Sequence, residues 1–202
     1  MPILNDAKSY GALTKFFHWV IVGLFAFQYA AGYTMTSLGS QDSALGFTQG
    51  NYYNWHKSIG LIALGFAFFR LLNRHYNRLP KWAPNLTKSE KRMMHYYENA
   101  LYLAMFLMPV SGFVYVMAGG YGVHFLEITH LPNPIGKLSQ LATIAKWTHI
   151  LSSFAILIAL AAHMSVVLRH QLVLKNGLVW RMLPARARSP VPTPLPAGDK
   201  AQ

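Results

Sequence analysis

The stretch KWTHILSSFAILIALAAHMSVVLRH, residues 146–170, decides the fold class, because it is apolar over a length that crosses a bilayer. A helix of about 20 residues, rising about 1.5 Å per residue, spans the hydrocarbon core of about 30 Å. Runs of similar length and character occupy residues 14–36, 53–73 and 96–118. Long uninterrupted apolar runs distinguish membrane spans from the buried helices of a soluble bundle. The sequence therefore predicts an all-α fold, an integral membrane four-helix bundle.

The composition agrees with a membrane protein and indicates its orientation. Of the 202 residues, 53% are hydrophobic and 12% are charged, about half the charged fraction of a soluble domain. The formal charge of +12 is unevenly distributed, with only Lys57, Lys137 and Lys146 on the side of the first and third connections. By the positive-inside rule, both termini are predicted to be cytoplasmic. The basic charge is thus explained by topology, and no nucleic-acid partner is expected.

The chain is predicted to form one membrane domain, residues 1–184, followed by a disordered Pro-rich tail, residues 185–202. The first run is too long for a signal peptide and lacks a small-x-small cleavage site, so we expect it to be retained. Thr87 begins a Thr-x-x-Glu capping box, which predicts a helix start before the third span. In the third connection, the segment LPNPIGKLSQLATIAKW, residues 131–147, is expected to include a short interfacial helix.

Four histidines in the spans fall into two pairs of equal depth. His18 and His163 lie toward the cytoplasmic side, whereas His56 and His149 lie toward the outer side. Fourteen residues separate the two histidines of the fourth span, a rise of about 21 Å and a rotation about 40° short of four turns. Both imidazoles should therefore lie on the same side of that helix, one in each leaflet.

Paired imidazoles in an apolar, aromatic setting suit b-type haem with two histidine ligands per iron. The chain has no cysteine, which excludes thiolate sites, iron–sulfur clusters and covalent haem. A zinc site would need further ligands, and of six carboxylates only Glu98 lies in a predicted span. Each histidine could instead hydrogen-bond across helices, and a small transporter with proton-relaying histidines stays an alternative. Two haem b groups with both axial positions filled would favour outer-sphere electron transfer over oxygen chemistry.

Two lysines and one arginine near these histidines have two interpretations each. Lys57 directly follows His56, and Lys146 lies one turn before His149; either could pair with a haem propionate or attract a small anion. Arg70, fourteen residues after His56, could pair with a propionate of the inner haem or mark the end of the span by snorkelling.

The other five histidines are weaker candidates. His95, at the cytoplasmic start of the third span, is either a proton-transferring residue at a quinone pocket or an ordinary interfacial histidine. His75 and His170 are expected to face water or lipid headgroups at cytoplasmic helix ends, and His124 and His130 lie in an outer loop.

Several motifs in order resemble the prokaryotic cytochrome b561 family over about residues 9–184. They are Y-x-x-x-x-K-F-F-H-W at 10–19, W-H-K-S-I-G followed by Arg70, the run HYYENALYLAMFLMPVSG at 95–112, K-W-T-H…H in the fourth span, and W-R-M-L-P at 180–184.

The resemblance implies one haem b between His18 and His163 and another between His56 and His149. It also implies an electron-transfer oxidoreductase of the superoxide oxidase type, which oxidises superoxide at the outer haem and passes the electron to ubiquinone. By that likeness Lys57 and Lys146 would steer superoxide, and the quinone would lie near the inner haem with His95 and Arg70. Related cytochromes are membrane anchor subunits of hydrogenases and formate dehydrogenases, so a subunit of a larger respiratory complex, docked to a redox partner protein, is the alternative.

Overall fold

The structure is a computed structural model that describes residues 2–7, 9–82, 86–175 and 177–183. The predicted disordered tail, residues 185–202, and the domain boundary at residue 184 lie outside the described residues, so this division remains a prediction. Four of the basic residues that the positive-inside argument used also lie outside them: Lys8, Arg186, Arg188 and Lys200.

Four long helices account for most of the described chain. They are α1 (Ala12–Ser37), α2 (Gln49–Tyr76), α3 (Lys88–Ala118) and α4 (Ser139–Leu168). Each is long and apolar enough to cross a membrane, which confirms the predicted all-α bundle of four spans. Each also extends beyond the apolar run from which it was predicted, because polar residues at the span ends continue the same helix.

The fourth helix differs most from the prediction. No separate interfacial helix is seen within residues 131–147, all of which the structure describes; residues from Ser139 onward are instead the first turns of α4. At its other end α4 continues into a π-helical turn, Arg169–Val173, and a 3₁₀ turn follows at Leu178–Arg181.

The helices pack mainly as two antiparallel pairs, α1 with α2 and α3 with α4, and α2 joins the pairs by a smaller contact with α3. Halfway along the bundle, the α1 residue Tyr29 donates a hydrogen bond from its hydroxyl to the Ser153 carbonyl of α4 at 2.7 Å. Phe25 and Tyr29 also pack against buried Ile156. This layer separates the two ends of the bundle.

Large apolar side chains cover the outside of the bundle. Leu103 is 67% exposed and Ile158 is 71% exposed, with many similar residues on all four helices. Such a surface is stable against lipid, where helices satisfy their own backbone groups and outward side chains need no polar partner.

Both described chain ends and the connection between α2 and α3 meet at one end of the bundle, here called the terminal end. Lys15 donates to the Leu183 carbonyl at 3.0 Å, and Trp19 donates to the Met182 carbonyl at 2.9 Å. The segment at residues 182–183 therefore packs on α1. Arg181 donates to the Lys81 carbonyl at 2.8 Å, which joins this end of the chain to the connection before α3.

The predicted capping box at the start of α3 is present and is part of a larger cluster. The Thr87 hydroxyl accepts from the Glu90 amide, and the Glu90 carboxylate accepts from the Thr87 amide. Glu90 also pairs with Arg169 and lies 3.7 Å from His170. The expectation that His170 faces water or headgroups is wrong, because the π-helical turn holds its ring against the start of α3, where it is fully buried.

Two short β-hairpins form the opposite end, here called the hairpin end. In the first, β1 (Ser43–Ala44) pairs with β2 (Phe47–Thr48); in the second, β3 (His124–Phe125) pairs with β4 (Thr129–His130). The sequence analysis predicted only loops here, since two-residue strands have no detectable alternation.

Replacing Gly11 by Ala is expected to destabilise the terminal end. A Cβ at position 11 would lie 2.4 Å from the Ile3 carbonyl oxygen, so the N-terminal segment must shift. Gly23→Ala in α1, the helix that begins directly after Gly11, is the control, because a Cβ there meets nothing within 4 Å. We expect thermal unfolding in detergent to report a loss of about 1–3 kcal/mol for Gly11→Ala and none for Gly23→Ala. Equal stability of the two variants would contradict this packing.

Candidate functional site

The histidines of α2 and α4 meet near the hairpin end. The ring centres of His56 and His149 lie 6.2 Å apart, and the ring planes are inclined by 85°. Both rings are half-buried inside the bundle. The structure therefore brings together the pair that was predicted from depth alone.

The ring of His149 is held by the backbone of α3. Its Nδ1 lies 2.7 Å from the Met108 carbonyl oxygen, which also accepts from the Ser111 hydroxyl. A carbonyl oxygen only accepts, so Nδ1 carries the proton and the Nε2 lone pair is available to a metal. Gly112 allows this close approach, because a Cβ there would lie 2.8 Å from Nδ1.

The ring of His56 packs against α1. A Cβ at Gly32 would lie 3.5 Å from the ring carbon Cε1, and Gln28 donates to the His56 carbonyl at 2.9 Å. Within the part of the chain that the structure describes, buried Nδ1 of His56 has no hydrogen-bond partner. Buried polar atoms are nearly always hydrogen-bonded, so the Nδ1 atom of His56 is available to a further hydrogen-bond partner.

The histidines of α1 and α4 occupy the terminal half of the bundle. His18 and His163 lie within electrostatic range of each other. Fourteen residues separate His18 from Gly32, which contacts His56, so the two pairs are about 21 Å apart along the helices. The guanidinium of Arg70 lies 3.4 and 3.5 Å from Nδ1 of His18 and also within electrostatic range of His163. A fixed positive charge thus lies beside this pair.

A chain of polar contacts leads from Arg70 toward the surface of the terminal end. Arg70 donates to the Tyr102 hydroxyl at 3.3 Å, and the Arg74 guanidinium lies over the Tyr102 ring at 5.4 Å from its centre. Arg74 forms a two-point ion pair with Glu98. His95 lies 3.9 Å from the same carboxylate, and its side chain is 59% exposed. The chain therefore joins the inner histidine pair to an exposed imidazole.

The two predicted lysines at the hairpin end have different surroundings. Lys57 is half-buried and donates to the Gly122 carbonyl at 3.1 Å. Lys146 is exposed and lines a cavity of about 300 Å³, together with Lys137, Tyr115 and Tyr121. Lys57 is not among the residues that line this cavity. The structure does not bring Lys57 and Lys146 into one site.

Sequence analysis missed the backbone supports of the site. The run MPVSG at 108–112 has no sequence pattern that indicates a role, yet its first carbonyl and its glycine hold His149. The roles of Arg74 and Tyr102 were also missed, because their contacts join residues that are distant in sequence. The one available signal in the sequence was the spacing of four residues between Arg70 and Arg74, which places both side chains on the same face of a helix.

Comparison with known proteins identifies the family. The family model described as prokaryotic cytochrome b561 matches residues 9–185. The chain belongs to the prokaryotic cytochrome b561 family. It is also 25% identical over 190 residues to cytochrome b561 homolog 2 of Escherichia coli (strain K12), covering 91% of this chain and 95% of that protein. Membership implies a multi-pass bacterial membrane cytochrome that uses haem b for electron transfer.

The residues at the hairpin end fit a haem b group. Across residues 2–7, 9–82, 86–175 and 177–183, no three or more His, Asp or Glu side chains form a group that could hold a metal ion, so the span histidines meet as pairs. A haem iron needs few ligands from the protein, and His56 and His149 would hold it between them. Their ring centres are 6.2 Å apart, which leaves room for a metal bound to one nitrogen of each ring at about 2 Å. Gly112 leaves space beside the His149 ring that a Cβ would fill.

Replacing Gly112 by Ala is expected to disturb the haem site that the sequence predicts at His149. The added methyl group would push the ring from the Met108 carbonyl and change its orientation. The reduced-minus-oxidised absorption spectrum of the purified protein should lose roughly half of its α-band. If both haems are retained, a redox titration should show a shifted potential for one of them. Gly65→Ala is the control, since a Cβ there meets nothing within 4 Å. Identical spectra and potentials for the two variants would show that this contact does not position the ring.

Proposed function

We propose that the protein is a two-haem b cytochrome that carries electrons across the membrane, with His18 and His163 holding one haem and His56 and His149 the other. What supports this proposal is that α4 carries both His149, whose ring centre lies 6.2 Å from that of His56 of α2, and His163, which lies near His18 of α1 at the other depth. Haem b, when bound, supplies a one-electron iron centre. The protein's contribution would be to hold the two histidines of each pair in place and to exclude water from the bundle.

The orientation of the bundle gives the direction in which substrates approach. Basic residues are concentrated at the terminal end, which supports cytoplasmic termini and a bacterial inner membrane. The hairpin end would then face the outer side. The pair His56 and His149 is the one nearer to an outer electron donor, and the pair His18 and His163 is nearer to a cytoplasmic-side acceptor.

We propose superoxide as the outer donor and ubiquinone as the acceptor, by resemblance to the superoxide oxidase type of this family. Two superoxide ions each lose one electron and become O₂, and one ubiquinone takes up both electrons and two protons to become ubiquinol. Lys146 and Lys137 line one cavity at the hairpin end, and their charges attract a small anion. Lys57 adds positive charge directly beside His56, although its hydrogen bond to the Gly122 carbonyl also gives it an anchoring role.

The quinone site is proposed at the terminal end, near Arg70 and His95. The polar chain from Arg70 through Tyr102 and Arg74 to Glu98 supports it, because it ends at an exposed imidazole within 4 Å of a carboxylate. His95 can exchange protons with water and deliver them to a reduced quinone. Arg70 would balance a haem propionate beside His18.

Single histidine substitutions test the ligand assignment. His149→Ala should remove the outer haem and leave the inner one, and His163→Ala should do the reverse. We expect each variant to contain about half of the wild-type haem per protein, measured by pyridine haemochrome, with different remaining potentials. His75→Ala, at an exposed position, is the control and should keep the full haem content. If both ligand variants kept two haems, the proposed pairs would be wrong.

Rapid mixing with superoxide tests the proposed reaction. Superoxide should reduce the haems of the purified protein within milliseconds, and added ubiquinone should reoxidise them. Lys146→Gln should slow the reduction several-fold at low salt and less at high salt, because screening weakens attraction between exposed charges. Lys88→Gln, an exposed charge at the terminal end, is the control and should leave the rate unchanged.

The same experiment distinguishes the alternative function. A protein whose haems superoxide does not reduce, and which co-purifies with a soluble dehydrogenase that does reduce them, is a membrane anchor subunit. Haem reduction by superoxide without a partner would support the stand-alone oxidase.

A further inference from the structure

Two histidines outside the proposed haem sites face each other at the hairpin end. His124 in β3 and His130 in β4 are directly paired across the second hairpin. Their rings are stacked with centres 4.1 Å apart and planes inclined by 3°. His130 is exposed and His124 is half-buried, so ions from the adjoining water can reach the pair.

The hairpin that carries this pair is held in a strained conformation. Its turn contains two consecutive residues with positive φ, Leu126 at 51° and Glu127 at 59°, and neither is glycine. A left-handed conformation is unfavourable for a branched side chain such as Leu126 and persists only where surrounding contacts impose it. The conformation of the hairpin is therefore imposed by the structure around it.

The contacts that impose this conformation come from α2. Fully buried Ser58 accepts from the Leu126 amide at 2.8 Å, and Asn51 donates to the Glu127 carboxylate at 3.1 Å. Lys57 donates to the Gly122 carbonyl just before β3. The hairpin is thus fixed to the helix that carries His56, which keeps the two strands in register and limits the freedom of both imidazoles.

We propose that His124 and His130 form a binding site for a divalent transition-metal ion, with Cu²⁺ favoured over Zn²⁺ and Ni²⁺. Imidazole nitrogen is a preferred ligand for all three ions, and affinity for such sites generally rises to Cu²⁺ in the first transition series. Two nitrogens bound side by side at about 2 Å from one metal are about 3 Å apart. The rings are 4.1 Å apart and nearly parallel, so tilting both about their side-chain torsions would direct one nitrogen of each at a shared ion.

The charges around the pair do not oppose a bound cation. Among the residues that the structure describes, Lys57 and Glu127 are the charged groups that hydrogen-bond to the hairpin or belong to it, and they carry opposite charges. Two protein ligands leave the remaining metal positions to water, so the ion is exchangeable and differs from the buried iron of a haem.

Metal titration of the full-length, tag-free protein tests this site. The oxidised protein in detergent is titrated with Zn²⁺ by calorimetry and with Cu²⁺ by electron paramagnetic resonance. We expect one ion per chain and a Cu²⁺ spectrum with nitrogen hyperfine splitting. His124→Asn and His130→Asn should each weaken binding by about tenfold or more, about 1.4 kcal/mol, because each removes one of two ligands.

The control variant is His75→Asn, which removes an exposed histidine at the terminal end and should bind the metal as the wild type does. Haem content and elution volume verify that every variant is folded. Unchanged affinity in the His124→Asn/His130→Asn double variant would overturn the proposal, as would no binding by the wild type. An equal loss of affinity in His75→Asn would overturn it too, since binding would then be a general property of surface histidines.

Discussion

Hydrocarbon gives no hydrogen bonds to a polar group, and this constraint governs the few polar side chains inside the bundle. His149 meets it by donating from Nδ1 to the Met108 carbonyl, which leaves the lone pair of its other ring nitrogen available to a metal. That carbonyl is accessible because residue 112 is glycine. The proposed haem site of the hairpin end depends on this small arrangement of backbone and imidazole.

At the terminal end, polar side chains meet the same constraint through contacts between charged and polar groups. Arg70 lies beside His18, and Arg74 is neutralised by Glu98, the one carboxylate in the predicted spans. Tyr102 lies between the two arginines and contacts both. Positive charge near a haem stabilises propionates, and the polar path to His95 would give protons a route to the quinone that we propose. One network thus has the parts for both tasks that we propose at this end.

The two ends of the bundle are kept apart by an apolar layer that contains Phe25, Tyr29 and Ile156. The histidine pairs on either side of this layer are about 21 Å apart along the helices, a distance that follows from fourteen residues at about 1.5 Å each. Outside this layer, the hairpin end carries the two lysines of the cavity and the stacked pair His124 and His130. The anion-attracting cavity and the proposed cation site share the connection between α3 and α4, but His124 and His130 are not among the residues that line the cavity.

The sequence by itself determined the fold class, because four apolar runs of about 20 residues have no stable alternative to four spans. It also determined which histidines share a depth, since rise per residue and an even number of spans leave little freedom. It predicted the capping box at Thr87 correctly, because that motif is local.

Only the tertiary structure decided the contacts between residues distant in sequence. It decided that His170 is buried against Glu90, that the Met108 carbonyl and Gly112 hold His149, and that His124 stacks on His130 across a strained turn. None of these has a periodic signal, since each depends on how one helix or hairpin packs against another. The lengths and periods of the apolar runs can be read from the sequence, whereas the orientation of each histidine ring depends on how the helices pack.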